Sequence, residues 1–148
     1  MVYYIMQSKS LNKHPLIQFI LSMGMSAHDF AIFGSVPMAL HGLKEIANDI
    51  DVIARGTAWN KAKEFGSPRE TPMLSGTYIK LLDGKVEIYH CWFPKDAWNV
   101  DELIDTAEVV DGVRYVKLEY VLKYKKARFA EKDRKDIEAI EKYLANKH

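Results

Sequence analysis

With a single cysteine among 148 residues, the chain cannot form an internal disulfide, and a reducing, cytoplasmic compartment is expected. It also lacks any apolar run approaching the roughly 18 residues that cross a bilayer, so no membrane partner is expected. Met1–Lys13 has no apolar stretch followed by a small-residue cleavage site, so no secretory leader is expected either. Prolines (5) and glycines (8) are few and scattered, without repeats or low-complexity tracts, which excludes fibrous and disordered classes. An excess of one charge is missing too. The formal net charge of +1 argues neither for nor against a nucleic-acid partner.

What is present is the composition of an ordinary globular protein, 48% hydrophobic and 28% charged. The length suits one domain that can bury a core without disulfide or metal staples. A single domain over 1–148 is expected, with about 1–116 as an α/β core and 117–148 as C-terminal helices. From Lys117 to His148 ten Lys/Arg stand against six Asp/Glu, a local excess of about four positive charges.

Periodicity predicts the elements. His14–Met23 carries apolar residues at mostly helical spacing, with Pro15 at an acceptable helix start. Phe30–Phe33 is a short apolar run ending at Gly34, the pattern of a buried strand. Ser35 reads as an N-cap, Pro37 as first-turn proline, and Gly42 as the stop of a helix reaching about His41. Asp49-Ile50-Asp51-Val52-Ile53 alternates polar and β-branched residues and reads as a strand. Trp59–Phe65 reads as a helix and Gly66–Pro72 as a loop. Thr77–Leu82 and Lys85–Trp92, separated by Asp83-Gly84, read as a hairpin. From about Leu118 the pattern is helical, with a break near Phe129–Glu131. The expected class is α+β, a mixed β-sheet flanked by α-helices with a C-terminal helical segment.

Two features carry chemistry together. Asp49 and Asp51, two apart on a strand, point to one face about 7 Å apart along the chain. There they can converge on Mg²⁺, which is usually held by one or two carboxylates and substrate phosphates. Without a cation the two acids repel and raise a pKa. Gly34-Ser35, at a strand end leading into a helix, suits a phosphate: glycine lets it approach the main chain, and helix-start amides and a hydroxyl donate to it. Thirteen residues separate Ser35 from Asp49, room for one helix and a return to a neighbouring strand. Alone, a Gly-Ser pair is common punctuation and an Asp-X-Asp can be a turn or a surface strand; their joint occurrence is the more specific signal.

The stretch Phe30–Ile53, FAIFGSVPMALHGLKEIANDIDVI, resembles the signature of the polymerase β-like nucleotidyltransferases. Its interior Ala39–Leu43 resembles the small bacterial and phage-associated branch related to abortive-infection and toxin–antitoxin nucleotidyltransferases. The resemblance implies a nucleotidyltransferase-like fold, nucleotide binding at Gly34 and Ser35, and metal binding at Asp49 and Asp51. It also implies Mg²⁺ or Mn²⁺ as cofactor, an NTP donor, and an RNA, protein or small-molecule acceptor. A homodimer or partner protein would complete the acceptor pocket. A third carboxylate usually comes from a later strand, and Glu87, between Val86 and Ile88, fits better than Asp83, whose place before Gly84 is explained by turn chemistry. Lys125 would match the family's helix lysine, and Lys132, Asp133 and Asp136 its basic turn. The family's glycine and arginine fall at Phe129 and Ala130. Each lysine also reads as part of a solvated charged helix.

Other residues carry less. His41 reads as a group approaching phosphate or as a packing residue, and Lys80 as a phosphate contact or a solvent-facing strand lysine. Trp92, Phe93 and Trp98 read as core or lid. His90-Cys91 lacks the spaced partners of a zinc site. The expected activity is NMP transfer to a hydroxyl in a toxin–antitoxin or phage-defence setting; the alternative is a non-catalytic nucleotide- or partner-binding module on the same fold.

Overall fold

The computed structural model describes residues 10–70, 76–92 and 98–147. The α+β expectation holds: a seven-stranded mixed sheet is flanked by helices, and the chain closes with a helical segment. The elements are α1 (Pro15–Ser22), β1 (Phe30–Ile32), α2 (Val36–Leu40), β2 (Ile50–Ala54), α3 (Gly56–Ala62), β3 (Arg69–Glu70), β4 (Thr77–Leu81) and β5 (Val86–Tyr89), then α4 (Val100–Asp105), β6 (Glu108–Val110), β7 (Val113–Tyr115), α5 (Leu118–Arg128) and α6 (Arg134–Ala145). Pro15 opens α1 as its sequence suggests, and His14 Nδ1 accepts from the Leu16 amide at 3.1 Å.

The strands lie in the order β3-β4-β5-β2-β1-β7-β6. β1 runs antiparallel to β2 and parallel to β7, while β2 runs parallel to β5. Alternation along each strand sorts the two faces. Ile50, Val52, Ile79, Val86 and Ile88 join Ile17 and Ile20 of α1 and Ala58 and Ala62 of α3 in one core cluster. Ala31, Phe33 and Ile53 belong to a second cluster with Leu103 and Ile104 of α4, Val121 of α5 and Ile140 of α6. Ile50, Val52 and Ile53 are each at most 1% exposed. Burial of such side chains contributes roughly 1.5–3 kcal/mol apiece, which fixes the central strand bearing Asp51.

Several local expectations shift. The hairpin expected around Asp83-Gly84 forms, β4 pairing antiparallel with β5, but the dipeptide is not a two-residue loop. Pairing of β4 with β5 closes at Leu81 and Val86, leaving a four-residue connection that contains a 3₁₀ turn over Leu82–Gly84. The two-residue Asp-Gly hairpin lies instead at Asp111-Gly112, where Val110 pairs with Val113. Positive φ at both residues, 52° and 80°, matches the tight turn that such a hairpin favours. The sequence reading had no strand there, although Val109-Val110-Asp111-Gly112-Val113 carries the same signal. It also missed α4, which Asn99 announces by accepting from the Glu102 amide at 3.1 Å. The helix expected at Trp59–Phe65 starts earlier, at Gly56, and ends at Ala62. No helix among the described residues is long and apolar enough to cross a membrane.

The break expected near Phe129–Glu131 falls between α5 and α6, and its backbone is informative. Phe129 caps α5 in the left-handed region, with φ 55°, and is 92% exposed. A bulky L residue in that conformation costs roughly 1–2 kcal/mol, and glycine is the residue such a cap favours. Phe129→Gly is therefore expected to stabilise the protein by about 1 kcal/mol, read as a higher urea midpoint at constant slope. An unchanged or lower midpoint would show that the aromatic ring outweighs the backbone cost.

Candidate active site

Because β1 and β2 are antiparallel neighbours, the end of one meets the start of the other. The Phe33 amide extends the ladder by donating to the Asp51 carbonyl at 2.8 Å. Gly34 follows with φ +64°, and a Cβ there would stand 3.0 Å from Asp51 Oδ2. Conformation and close approach both call for glycine. Thus the Gly-Ser turn and the Asp-X-Asp segment, separate in sequence, share one wall.

The β2–β5 register pairs Asp51 with Glu87. Neighbouring strands lie about 4.8 Å apart, so these acids sit side by side on one face. Asp49 immediately precedes β2 and is exposed. Burial, reinforced by the charges of Glu87 and Asp49, pushes the Asp51 carboxyl up to about 7, although Arg128 and Lys125 pull the other way. Asp83 takes no part in this row; it sits in the 3₁₀ turn with φ 57°.

A cavity of about 180 Å³ opens in front of Asp51, lined by Gly34, Ser35, Ala47, Asp49, Asp51, Tyr124, Lys125, Arg128 and Lys132. It is smaller than the roughly 300–1,000 Å³ that encloses a whole drug-sized ligand, and matches the phosphate end of one. Glu87 is not among the residues lining this cavity; it stands beside Asp51 on the next strand, its Oε1 accepting from the Tyr89 hydroxyl at 2.8 Å. A wider groove of about 720 Å³ by Phe129 and α6 contains none of the clustered acids of β2 and β5.

The positive side of the cavity comes from α5. Lys125 is 3% exposed; its Nζ donates to Ser35 Oγ at 3.2 Å and to Asp133 at 3.3 Å, and pairs with Asp136 at 3.1 Å. Arg128 grips Asp133 with two bonds, Nε to Oδ2 at 2.8 Å and Nη2 to Oδ1 at 2.7 Å, and its Nη1 donates to the Tyr124 hydroxyl at 3.2 Å. Burial alone would raise the Asp133 carboxyl, but the Arg128 hydrogen bonds and the Lys125 charge hold it below its usual value. Lys132 stands exposed at the rim.

Two sequence expectations need correcting here. Ser35 occupies the N-cap position of α2, but its side chain makes no cap hydrogen bond; the hydroxyl turns to Lys125 instead. α2 itself is five residues long, so little dipole builds up at its start. Positive charge in the cavity comes from Lys125 and Arg128 of α5, with Lys132 at the rim. The second correction concerns the arginine missing at Ala130: Arg128, on the last turn of α5, brings a guanidinium to the cavity wall. Arg128 and Tyr124 were overlooked in the sequence, although their offsets of three and one from Lys125 include one same-face helical spacing, and Tyr124 and Arg128 stand four apart.

The remaining candidates separate. His41 is clamped away from the cavity, with Nε2 at 2.7 Å from Glu108 and Nδ1 at 3.0 Å from the Tyr143 hydroxyl, which is a packing role. Trp92 stacks on Phe33 at 4.5 Å and Trp98 meets Phe33 edge-on at 6.0 Å, so both join the aromatic core under the site. Phe93 lies outside the described residues. Lys80 is exposed on β4, opposite Glu87.

Among the described residues no three His, Cys, Asp or Glu side chains converge tightly enough to form a ready-made metal cage. The donor set nevertheless suits Mg²⁺, whose shell is commonly completed by substrate phosphate oxygens and water. A half-buried carboxyl crowded by two other acids is a place where a divalent cation relieves repulsion.

The raised Asp51 carboxyl has a stability consequence. Between its ordinary 3.8 and about 7 the folded chain binds this proton more tightly than the unfolded chain, so stability falls as pH rises through that window. Asp51→Asn removes the ionisation. The variant is expected to match the parent near pH 4 and to exceed it above about pH 7, by on the order of 4 kcal/mol, in unfolding curves recorded without divalent cations. A variant less stable than the parent at high pH would contradict this.

Comparison with protein-family models, with curated proteins and with solved structures finds no match for this chain.

Proposed function

We propose that the chain is a metal-dependent nucleotidyltransferase, which moves a nucleoside monophosphate from an NTP to a hydroxyl and releases pyrophosphate. The observation that carries this reading is the contact between the two half-sites: a Cβ at Gly34 would stand only 3.0 Å from Asp51 Oδ2, while Asp51 lies in register with Glu87. A phosphate-sized cavity with acids on one side and Lys125 and Arg128 on the other is the chemistry that phosphoryl transfer needs.

Asp49, Asp51 and Glu87 supply the oxygen ligands for Mg²⁺ or Mn²⁺. The ion, when bound, would neutralise their mutual repulsion and the charge on the phosphates. Gly34 leaves the main chain bare for the triphosphate. Lys125 and Arg128, with Lys132 at the rim, stabilise the charge that grows on pyrophosphate as the bond to the α-phosphorus breaks. Glu87 accepts the proton of the attacking hydroxyl as the new oxygen–phosphorus bond forms. Tyr89 holds one Glu87 oxygen, leaving Oε2 for that proton. A second reading, a nucleotide-binding module without transfer, is favoured by the lack of a converged three-acid cluster among the described residues.

The test incubates the protein with each labelled NTP, Mg²⁺ or Mn²⁺ and cell extract, beside an Asp49→Ala/Asp51→Ala double variant. Label is expected on an acceptor with the parent only, and Arg128→Ala is expected to slow transfer about a hundredfold. Equal labelling by parent and double variant, or none by either, would contradict the transferase. Calorimetric NTP binding by the parent without any labelled product would favour the binding module.

A further inference from the structure

Resting on the transferase reading, we propose that Lys44, on the connection between α2 and β2, is a positioning residue for Lys125. By neutralising Asp136 from outside the cavity, Lys44 leaves the Lys125 charge available to the donor's phosphates. The argument starts from the valence of one ammonium. A lysine has three N–H donors and no acceptor. Those of Lys125 meet Ser35 Oγ, Asp133 Oδ1 and Asp136 Oδ2 at 3.2, 3.3 and 3.1 Å. Ser35 lines the cavity, whereas neither carboxylate is among its lining residues.

Two carboxylates on one ammonium would more than cancel its charge unless each had a second cation. Asp133 has the Arg128 fork. Asp136 has Lys44, whose Nζ donates to Oδ2 at 2.9 Å, the same oxygen that Lys125 approaches. Lys44, Lys125 and Arg128 together bring three positive charges against the two negative charges of Asp133 and Asp136. Without Lys44 the balance is two against two, and the wall that meets the phosphates loses its excess.

The chain places Lys44 for this task. Leu43 packs against the second core cluster, and its amide donates to the Met38 carbonyl at 2.9 Å, so the connection is anchored just before Lys44. The Lys44 side chain is 37% exposed and that of Asp136 15%, while Lys125 is 3% exposed. The network is thus open to solvent at Lys44 and shielded at Lys125. Burial alone would raise the Asp136 carboxyl, but the Lys44 and Lys125 hydrogen bonds hold it below its usual value. An ion pair as open as Lys44–Asp136 contributes little stability by itself. A shielded carboxylate that loses one cation, by contrast, depends wholly on the other.

Calorimetry with magnesium pyrophosphate reads the phosphate wall without requiring transfer. Lys44→Met is expected to weaken binding about tenfold, the scale of one charge-assisted hydrogen bond. Lys44→Arg is expected to preserve it, because a single carboxylate oxygen asks for a charged donor and no particular fork. Asp136→Asn is expected to bind at least as tightly as the parent. In that background Lys44→Met is expected to change nothing, because an exposed ammonium without its carboxylate is screened. Urea midpoints of the Lys44 variants are expected to stay near the parent's. Unchanged binding by Lys44→Met would overturn the proposal. So would equal weakening with and without Asp136→Asn, the mark of a charge acting directly, or weakening matched by a fall in urea midpoint, the mark of a structural role. Label transferred from NTP by the parent, with pyrophosphate binding indifferent to Lys44, would overturn the positioning role and leave the transferase intact. Neither label nor pyrophosphate binding by the parent would overturn the transferase, and the role of Lys44 with it.

Discussion

The crowding of negative charge at Asp51 is the constraint around which the rest of the site is arranged. Asp51 has Glu87 beside it in register and Asp49 two residues away, and burial adds to the cost of ionising it. Like charges at such spacing are unfavourable in an empty site. They persist because the strand beneath them is over-determined: Ile50, Val52 and Ile53 are locked into two cores on opposite faces of the sheet. The same packing brings Gly34 so close that a Cβ there would press against the carboxyl at 3.0 Å and sit on a backbone with φ +64°. Stability spent at Asp51 is thus stability gained elsewhere, the usual relation between a functional site and its scaffold.

Much of this arrangement was legible in the sequence, and the legible parts share a cause. Asp49, Asp51 and Glu87 lie in or beside strands whose apolar neighbours alternate, and a period of two fixes which side chains share a face. Gly34 was legible because few other residues can end a strand with positive φ. What could not be read depended on contacts between distant segments. Ser35 has the right residue type for a helix cap, yet Lys125, ninety residues later, takes its hydroxyl. Arg128 stands two positions before the expected arginine and reaches the cavity because α5 ends there and Asp133 fixes its fork. A third group of misses was avoidable: Asp111-Gly112 and Asn99 carry local signals of a hairpin and a helix cap. At Asp83-Gly84 the expected hairpin does form, with a connection of four residues instead of two.

The tethering of the cations explains why the cavity stays open. Free to move, Lys125 and Arg128 would pair with Asp51 and collapse the cleft onto its own acids. Asp133 prevents this by taking both bonds of the Arg128 fork and sharing Lys125 with Asp136. Asp136 is held in turn by Lys44 at 2.9 Å. Each cation therefore already has a carboxylate, and its remaining field at Asp51 is too weak to offset burial and the two neighbouring acids. A buried ion network of this kind is weak evidence for stability, since well-packed apolar residues often do as well. Its effect here is positional: it keeps positive charge on one wall and negative charge on the other, with a phosphate-sized gap between. An incoming anion can be met by the first wall and a divalent cation by the second, without either having to break an ion pair that spans the cavity.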